Sequence, residues 1–239
     1  MHGPIYQQLH RSLEEDRLAA LATIVEGPGV GKQVLLYPSG ERVGGLENPA
    51  LEEAVADAAE TVFRSFGTER VEADGSVVFV EAHPPAPKLV IVGAVHTAIS
   101  LVTFANELGF RTYVVDPRSV FATPERFAHA TELIREWPQD ALPRIGLNEG
   151  TFVAVLSHDD KFDVPALEIV LRHPVRYVGA LGSKKTHARR VKTLKERGIS
   201  DEALARIHSP IGIDLGGRRP EEIAVSIVAE MVREGHGGA

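Results

Sequence analysis

Hydrophobic and polar positions change rhythm at a proline-rich joint, His83-Pro84-Pro85-Ala86-Pro87. Proline at this density holds the backbone extended and continues neither a helix nor a central strand. Before the joint, apolar residues recur at helical spacing from Ile5 to Glu15, and short apolar runs predict strands over Leu18–Val25 and Gln33–Tyr37. The second run turns at Pro38-Ser39-Gly40 into a return segment, Glu41–Val43. Asn48-Pro49 predicts a helix start, with Leu51, Val55, Ala58, Ala59, Val62 and Phe63 along one face. Glu69–Glu81 alternates across Asp74-Gly75, the pattern of a hairpin.

After the joint, strand and helix patterns alternate. Strands are predicted at Lys88–Val92, Arg111–Val115, Thr151–Ser157 and Val175–Leu181. Helices are predicted at His96–Leu108, closed by Gly109, at Val164–Arg172, and at Ser183–Arg197, stopped by Gly198. Ser200 caps a further helix through about His208, and Pro220–Glu234 is the last. Strands that are apolar throughout and separated by helices predict a parallel sheet covered on both faces. The expected class is α/β: a Rossmann-like parallel-sheet domain over residues 88–239, a smaller α/β domain over residues 1–83, and residues 84–87 as linker. In such sheets ligands bind at the carboxyl ends of the strands, where the Gly-rich turns of this chain fall.

Composition narrows the chemistry. The 239 residues suffice for one large core or two small ones. A net charge of −7 argues against nucleic acid as the main partner, since that needs a broad basic face. There is no cysteine, which excludes disulfides, thiolate metal sites and a cysteine nucleophile or persulfide within the chain. The first residues lack the apolar core of a signal peptide, and no run is long enough to cross a bilayer. A cytoplasmic protein without membrane partners is the expectation.

The candidate residues sit in the Gly-rich turns. Gly93-Ala94-Val95-His96-Thr97-Ala98 follows a strand and opens a helix, as the dinucleotide fingerprint does, and Asp116 follows at about the ~20-residue spacing of a ribose-binding acid. Val95, however, stands where the second glycine would let a pyrophosphate reach the backbone. NAD(P) is therefore allowed by the fold but disfavoured by Val95. Asp116 reads equally as a turn acid before Pro117. His96, at the helix start, would contact a ligand, a metal or only the local backbone. Ser157-His158-Asp159-Asp160 reads as an acid–base or divalent-metal pair, or as a polar turn.

Gly182-Ser183-Lys184-Lys185, followed by Thr186, His187, Arg189 and Arg190, is the strongest anion candidate. Ser183 is placed as N-cap, and two lysines in the first helical turn oppose the helix dipole, which favours function over a solvated basic face. Glycine there permits close approach to the backbone. Asp214-Leu215-Gly216-Gly217-Arg218-Arg219 repeats the theme, with Asp214 suited to a ligand heterocycle or to an Asx turn. Glu221 and Glu222 match the dipole of the last helix. No histidine is assigned as a metal ligand, and no catalytic residue is identified.

The blocks LVIVGAVHTAISL, YVVDPR, LSHDDKFDVPAL, YVGALGSKKTHARR and HSPIGIDLGGRRPEEIAVSIVAE resemble, in order and spacing, the Rossmann domain of the XdhC/CoxI family. LATIVEGPGVGKQVLLYPSGERVGGLENPALEEAV resembles a shortened form of that family's other domain. These are accessory proteins of molybdenum hydroxylases such as xanthine dehydrogenase. The resemblance implies a chaperone or insertion factor, rather than a turnover enzyme, that binds molybdenum cofactor (molybdopterin), protects it, helps its maturation and delivers it to an apo-hydroxylase partner. Contacts to that cofactor are then expected from Gly93, His96, Asp116, His158, Gly182, Ser183, Lys184, Lys185, Asp214, Gly216 and Gly217. Where family members commonly carry Gly-Gly-Gly-Cys, this chain has Val43-Gly44-Gly45-Leu46, so sulfur would have to come from a cysteine desulfurase partner. A homodimer is expected, because symmetric dimers are common and the first domain has little core of its own. Two rival readings are an NAD(P)-dependent oxidoreductase and a non-catalytic partner module with a degenerate cofactor site.

Overall fold

The computed structural model describes residues 3–236. It divides into two compact units, one of residues 3–85 with Gly235 and His236, the other Ala86–Glu234. Lys88–Val92 thus opens the second unit just past the prolines.

In the first unit, helix α1 (Pro4–Glu14) precedes strands β1 (Ala19–Glu26), β2 (Gln33–Leu36) and β3 (Arg42–Gly44). Helix α2 (Pro49–Ser65) and strands β4 (Thr68–Ala73) and β5 (Ser76–His83) follow. The five strands form an antiparallel sheet ordered β3-β2-β1-β5-β4. Asn48 caps α2, its side-chain oxygen accepting the N–H groups of Ala50 and Leu51, so the helix begins where proline at its first position predicts. Leu51, Val55, Ala59 and Val62 then fall on one stripe and are buried against Ala20, Ala22, Ile24, Val78 and Val80 of the sheet. Asp74 and Gly75 both have positive φ, 49° and 73°, the geometry that closes the two-residue β4–β5 hairpin.

The second unit holds β6 (Lys88–Val92), β7 (Arg111–Val115), β8 (Glu132–Ile134), β9 (Thr151–Val155), β10 (Tyr177–Ala180) and β11 (Ile207–His208). All pairings are parallel, in the order β11-β10-β9-β6-β7-β8. The chain builds outward from β6 through β7 and β8, then returns to lay β9 on the other side of β6. Strand order therefore reverses between β6 and β9, which makes their carboxyl ends the crevice of a doubly wound sheet. Every residue of β6 is buried because the pleat sends alternate side chains to two covered faces. Leu89 and Ile91 pack with α3 (His96–Glu107) and α9 (Pro220–Gly235). Val90 and Val92 pack with α5 (Pro138–Ile145), α6 (Asp160–Leu171) and α7 (Lys184–Glu196). Each such side chain contributes about 1.5–3 kcal/mol of burial.

The structure departs from the sequence reading in four places. The third strand ends at Val155, not Ser157, so Ser157 and His158 lie beyond the pleat and His158 adopts φ 60°. Helix α6 starts at Asp160 rather than Val164, because the Asp159 carboxylate accepts the Lys161 N–H at 3.0 Å and caps it. The predicted Ser200–His208 helix stops at Ala205 (α8, Asp201–Ala205), and Ile207 and His208 leave it to pair with Val178 and Gly179. Residues 118–150, which carried no predicted element, hold α4 (Pro124–Phe127), β8 and α5.

Candidate functional site

The carboxyl end of β6 closes on its neighbours. Gly93 has φ 111°, and a Cβ built there would lie 2.7 Å from the Ser157 backbone nitrogen, so only glycine lets the β6 and β9 loops touch. The next amide, Ala94 N–H, donates to Asp116 Oδ2 at 2.8 Å. Asp116 also accepts the Arg118 backbone N–H and Nε at Oδ1, each at 2.9 Å, and Arg118 Nη2 at Oδ2, at 2.7 Å. Burial alone would raise this carboxyl's pKa, but the bonds from Arg118 and Ala94 outweigh it and hold the group below its ordinary value. Val95 is the N-cap of α3 and makes no capping side-chain bond, and His96 follows it exposed at the helix start.

Beyond β9, Ser157 Oγ donates to Asp163 Oδ1 at 2.5 Å and accepts the Asp159 N–H at 3.2 Å. Asp163 is fully buried and paired with Arg190, itself only 1% exposed. The Arg190 guanidinium also donates to Asp160 Oδ1 at 3.2 Å and to the Leu181 carbonyl at 2.8 Å, while Arg189 donates to Asp160 Oδ2 at 2.8 Å. Arg189 and Arg190 are thus committed to α6 and are not free cations of the anion corner, as sequence alone had grouped them. What they do instead is fasten the loop after β9 to the corner after β10. Buried ion pairs of this kind cost desolvation and are retained where they fix geometry.

At that corner Gly182 has φ 152°, and Ser183 Oγ accepts the Thr186 N–H at 3.2 Å, capping α7. The Ser183 hydroxyl therefore already serves the helix. Lys184 and Lys185 are exposed, and among the described residues neither enters an ion pair. With the first amides of α7 they form a positive edge that the dipole reinforces.

The segment after β11 is shaped by Glu230 of α9. Its carboxylate accepts the Gly212 N–H at 2.7 Å and the Tyr177 hydroxyl at 2.5 Å, and His208 Nδ1 lies 3.3 Å away. This holds the Gly212–Gly217 loop beside the end of β10, around a cavity of about 390 Å³ lined by Leu181, Gly212, Asp214, Gly217, Glu222 and Ser226, among others. An adjoining groove is lined by Leu215, Gly216, Gly217, Glu222 and Val225. Asp214 is exposed and its Oδ1 accepts the Gly216 N–H at 3.0 Å, the Asx turn. Glu222 reaches back to the Arg218 and Arg219 amides at 2.9 and 3.0 Å, satisfying the donors at the start of α9.

The tertiary structure thus brings together Asp214, Gly216 and Gly217, with Leu181 of the β10 corner joining them and Gly182 to Lys185 following directly in the chain. Gly93 and Asp116 belong to a separate bonded set at β6 and β7. His96 and His158 stand exposed at their own loop ends and line neither cavity. Arg118, Asp163, Tyr177, His208 and Glu230 were missed from the sequence. A lone charged or polar residue carries no mark in the sequence of its burial or of the partner it meets, and the Asp163–Arg190 pair is separated by 27 residues.

Known proteins resemble this chain along most of its length. Residues 89–231 match the XdhC Rossmann domain and residues 12–74 match the XdhC and CoxI family. The chain is 28% identical over 249 residues to YqeB of Escherichia coli (strain K12), spanning 96% of this chain and 46% of that protein. It is 30% identical over 156 residues to a probable xanthine dehydrogenase subunit of Bacillus subtilis (strain 168), spanning 65% of this chain and 45% of that one. A stretch of 85 residues, 36% of this chain, is 35% identical to 27% of the molybdenum cofactor insertion chaperone PaoD of Escherichia coli. The chain spans less than half the length of these relatives. A crystal structure from Bacillus halodurans, described as a xanthine dehydrogenase, superposes with a TM-score of 0.55 at 23% identity over 95% of this chain and 94% of that one, a likeness of fold. With its sheet order, its Gly-rich corners and the match over residues 89–231, the chain belongs to the XdhC/CoxI family.

Proposed function

We propose that the protein is an accessory factor of a molybdenum hydroxylase that binds molybdenum cofactor, protects it and delivers it to the apo-enzyme. The observation that carries this reading is a cavity of about 390 Å³ walled by the Gly-rich loop after β11, with Leu181 of the corner after β10 also lining it. That volume is within the range of small-molecule sites, which combine apolar walls with a few polar groups. Leu181, Ile211, Ile213 and Ile223 offer apolar wall and Asp214 a carboxylate, while the exposed Lys184 and Lys185 follow three and four residues after Leu181 in the chain as the proposed positive edge. A pterin with a terminal phosphate presents the matching halves, a flat polar heterocycle and an anion. When bound, the group would supply the molybdenum–dithiolene centre of the recipient enzyme; this chain's part is to hold and orient it.

Leu46, at the position where family members commonly carry cysteine, is 2% exposed and packed with Leu51 and Val55. It is a core residue here and offers no thiol, so in this reading any sulfur comes from a separate cysteine desulfurase. The names of the relatives that speak of xanthine dehydrogenase and of cofactor insertion favour the same reading. Among the described residues no helix is long and apolar enough to cross a membrane.

The test is anaerobic titration of the purified protein with molybdenum cofactor, followed by transfer to a cofactor-free hydroxylase. Saturable binding and recovery of hydroxylase activity are expected. A protein that neither retains the cofactor nor speeds its insertion would refute the proposal.

A further inference from the structure

The fold implies a dinucleotide at the β6–β9 crevice, and the residues there do not fit one. In dinucleotide-binding sheets the acid at the end of the second strand accepts the ribose hydroxyls, and the turn after the first strand receives the pyrophosphate on bare backbone. Here Asp116 is that acid by position, yet it is 2% exposed. A carboxylate offers about four acceptor sites. Asp116 spends four on its own chain: the Ala94 amide and Arg118 Nη2 at Oδ2, the Arg118 amide and Nε at Oδ1, all within 2.9 Å. No acceptor remains for a ribose hydroxyl.

The guanidinium that fills the acid also fills the space beside it. Arg118 Cζ lies 4.7 Å from the ring centre of Phe121, on the loop after β7, and 4.9 Å from that of Phe162, at the start of α6. Those loops flank the carboxyl end of β6 from either side. A planar cation held by a carboxylate and laid against aromatic rings uses the contacts that a nucleoside would use, ribose on acid and base on ring. Val95, the N-cap of α3, occupies the position where the fingerprint requires a second glycine.

We infer that Arg118 is a specificity-determining residue: an internal stand-in for a nucleoside, which closes the Rossmann crevice of this protein to NAD(P) and to adenine nucleotides. Arg118 is not a receptor for the 2′-phosphate of NADPH, because Nε and Nη2, the edge that would grip a phosphate, are turned onto Asp116 and a second anion would meet that carboxylate. This inference is independent of the cofactor cavity at β10 and β11, and its probes are different molecules.

The experiment titrates AMP, NADH and NADPH into the wild type, Asp116→Asn, Arg118→Ala, Arg118→Gln and Arg118→Ala with Asp116→Asn, reading heat by calorimetry and confirming folding by circular dichroism. The wild type is expected to show no saturable binding of any of the three. Arg118→Ala frees Asp116 and the ring faces, and saturable AMP binding should appear, roughly tenfold or more tighter than the upper limit set by the wild-type titration, the size of one regained charge-assisted hydrogen bond. The added Asp116→Asn should abolish the gain. Wild-type binding of AMP or NADH that Asp116→Asn removes would overturn the inference, as would wild-type NADPH binding lost in Arg118→Ala. Folded Arg118→Ala and Arg118→Gln proteins that gain no AMP affinity would overturn it too. If both variants fail to fold, the wild-type titrations decide: silence toward all three nucleotides upholds the closed crevice, and Asp116-dependent binding rejects it.

Discussion

Glu230 and Gly212 are joined by a 2.7 Å hydrogen bond from the glycine amide to the buried carboxylate. That bond couples the last helix to the loop that walls the candidate cofactor cavity. The same carboxylate takes the Tyr177 hydroxyl of β10 and faces His208 of β11, so one acid organises three elements. Replacing Glu230 by Ala strands the Tyr177 hydroxyl and the Gly212 amide without an acceptor. A loss of about 2–4 kcal/mol is expected, measured as a shift in urea midpoint without a large change in slope.

The His208–Glu230 pair also predicts a pH signature. The hydrogen bond from His208 to Glu230 raises the imidazole pKa above its ordinary 6.5, against burial and Arg233, with Glu230 and Glu234 adding attraction. Burial raises the Glu230 carboxyl, but its bonds from His208, Tyr177 and Gly212 outweigh this and leave it below its ordinary 4.5. A raised imidazole stabilises the fold fully below 6.5 and loses that contribution as pH rises through the folded value. A lowered carboxylate stabilises above 4.5 and loses its share as pH falls. The stability difference between wild type and His208→Asn should therefore be largest between 4.5 and 6.5 and shrink on both sides. A difference flat from pH 4 to 9 would show that the pair does not titrate as described.

Lys184→Ala combined with Lys185→Ala should weaken molybdenum cofactor binding by about 1.5–3 kcal/mol per lost charge-assisted contact. Fold stability should move the other way, unchanged or higher by about 0.3–1 kcal/mol, since cations in a first helical turn oppose the dipole. Opposite signs in the two measurements separate a ligand role from a structural one. Unchanged cofactor affinity would remove the lysines from the site.

Ser183→Ala tests the cap apart from the ligand. Its hydroxyl accepts the Thr186 amide, so about 1 kcal/mol of stability should be lost, seen as a lower Tm. Ser183→Asp, which keeps a cap acceptor, should restore the Tm while placing a negative charge beside Lys184 and weakening any anion there.

Arg190→Ala leaves Asp163 buried with the Ser157 hydroxyl but without its cation. A cost of about 3–5 kcal/mol is expected in denaturant unfolding. The double replacement Arg190→Met with Asp163→Asn should recover part of it, because the uncompensated charge is gone.

Much of this architecture is legible in the sequence. The apolar runs Lys88–Val92 and Arg111–Val115 and the capped helices at Asn48 and Ser183 appear where their residues place them. These are local signals, set by side-chain period and by caps that bond within a few residues. The short elements of residues 118–150 gave no such signal. Strand β8 has three residues and α4 four, too few for any period to repeat, and β11 exists only because β10 offers it an edge. Asp116 was read as a ribose acid or a turn acid, and the choice depended on a guanidinium two residues away whose direction the sequence does not record.

By itself, then, the sequence determined the α/β class, the run of strands and helices and the Gly-rich corners at the strand ends, because each follows from interactions spanning a few residues. Only the tertiary structure decided which charges are spent inside the protein. Arg118 closes on Asp116, Arg190 on Asp163 and Glu230 on the Gly212 loop, while Lys184 and Lys185 stay exposed. A charged side chain gains its role from the partner and the burial it meets on folding, and those partners lie far off in the chain, 27 residues for Arg190 with Asp163 and 53 for Glu230 with Tyr177.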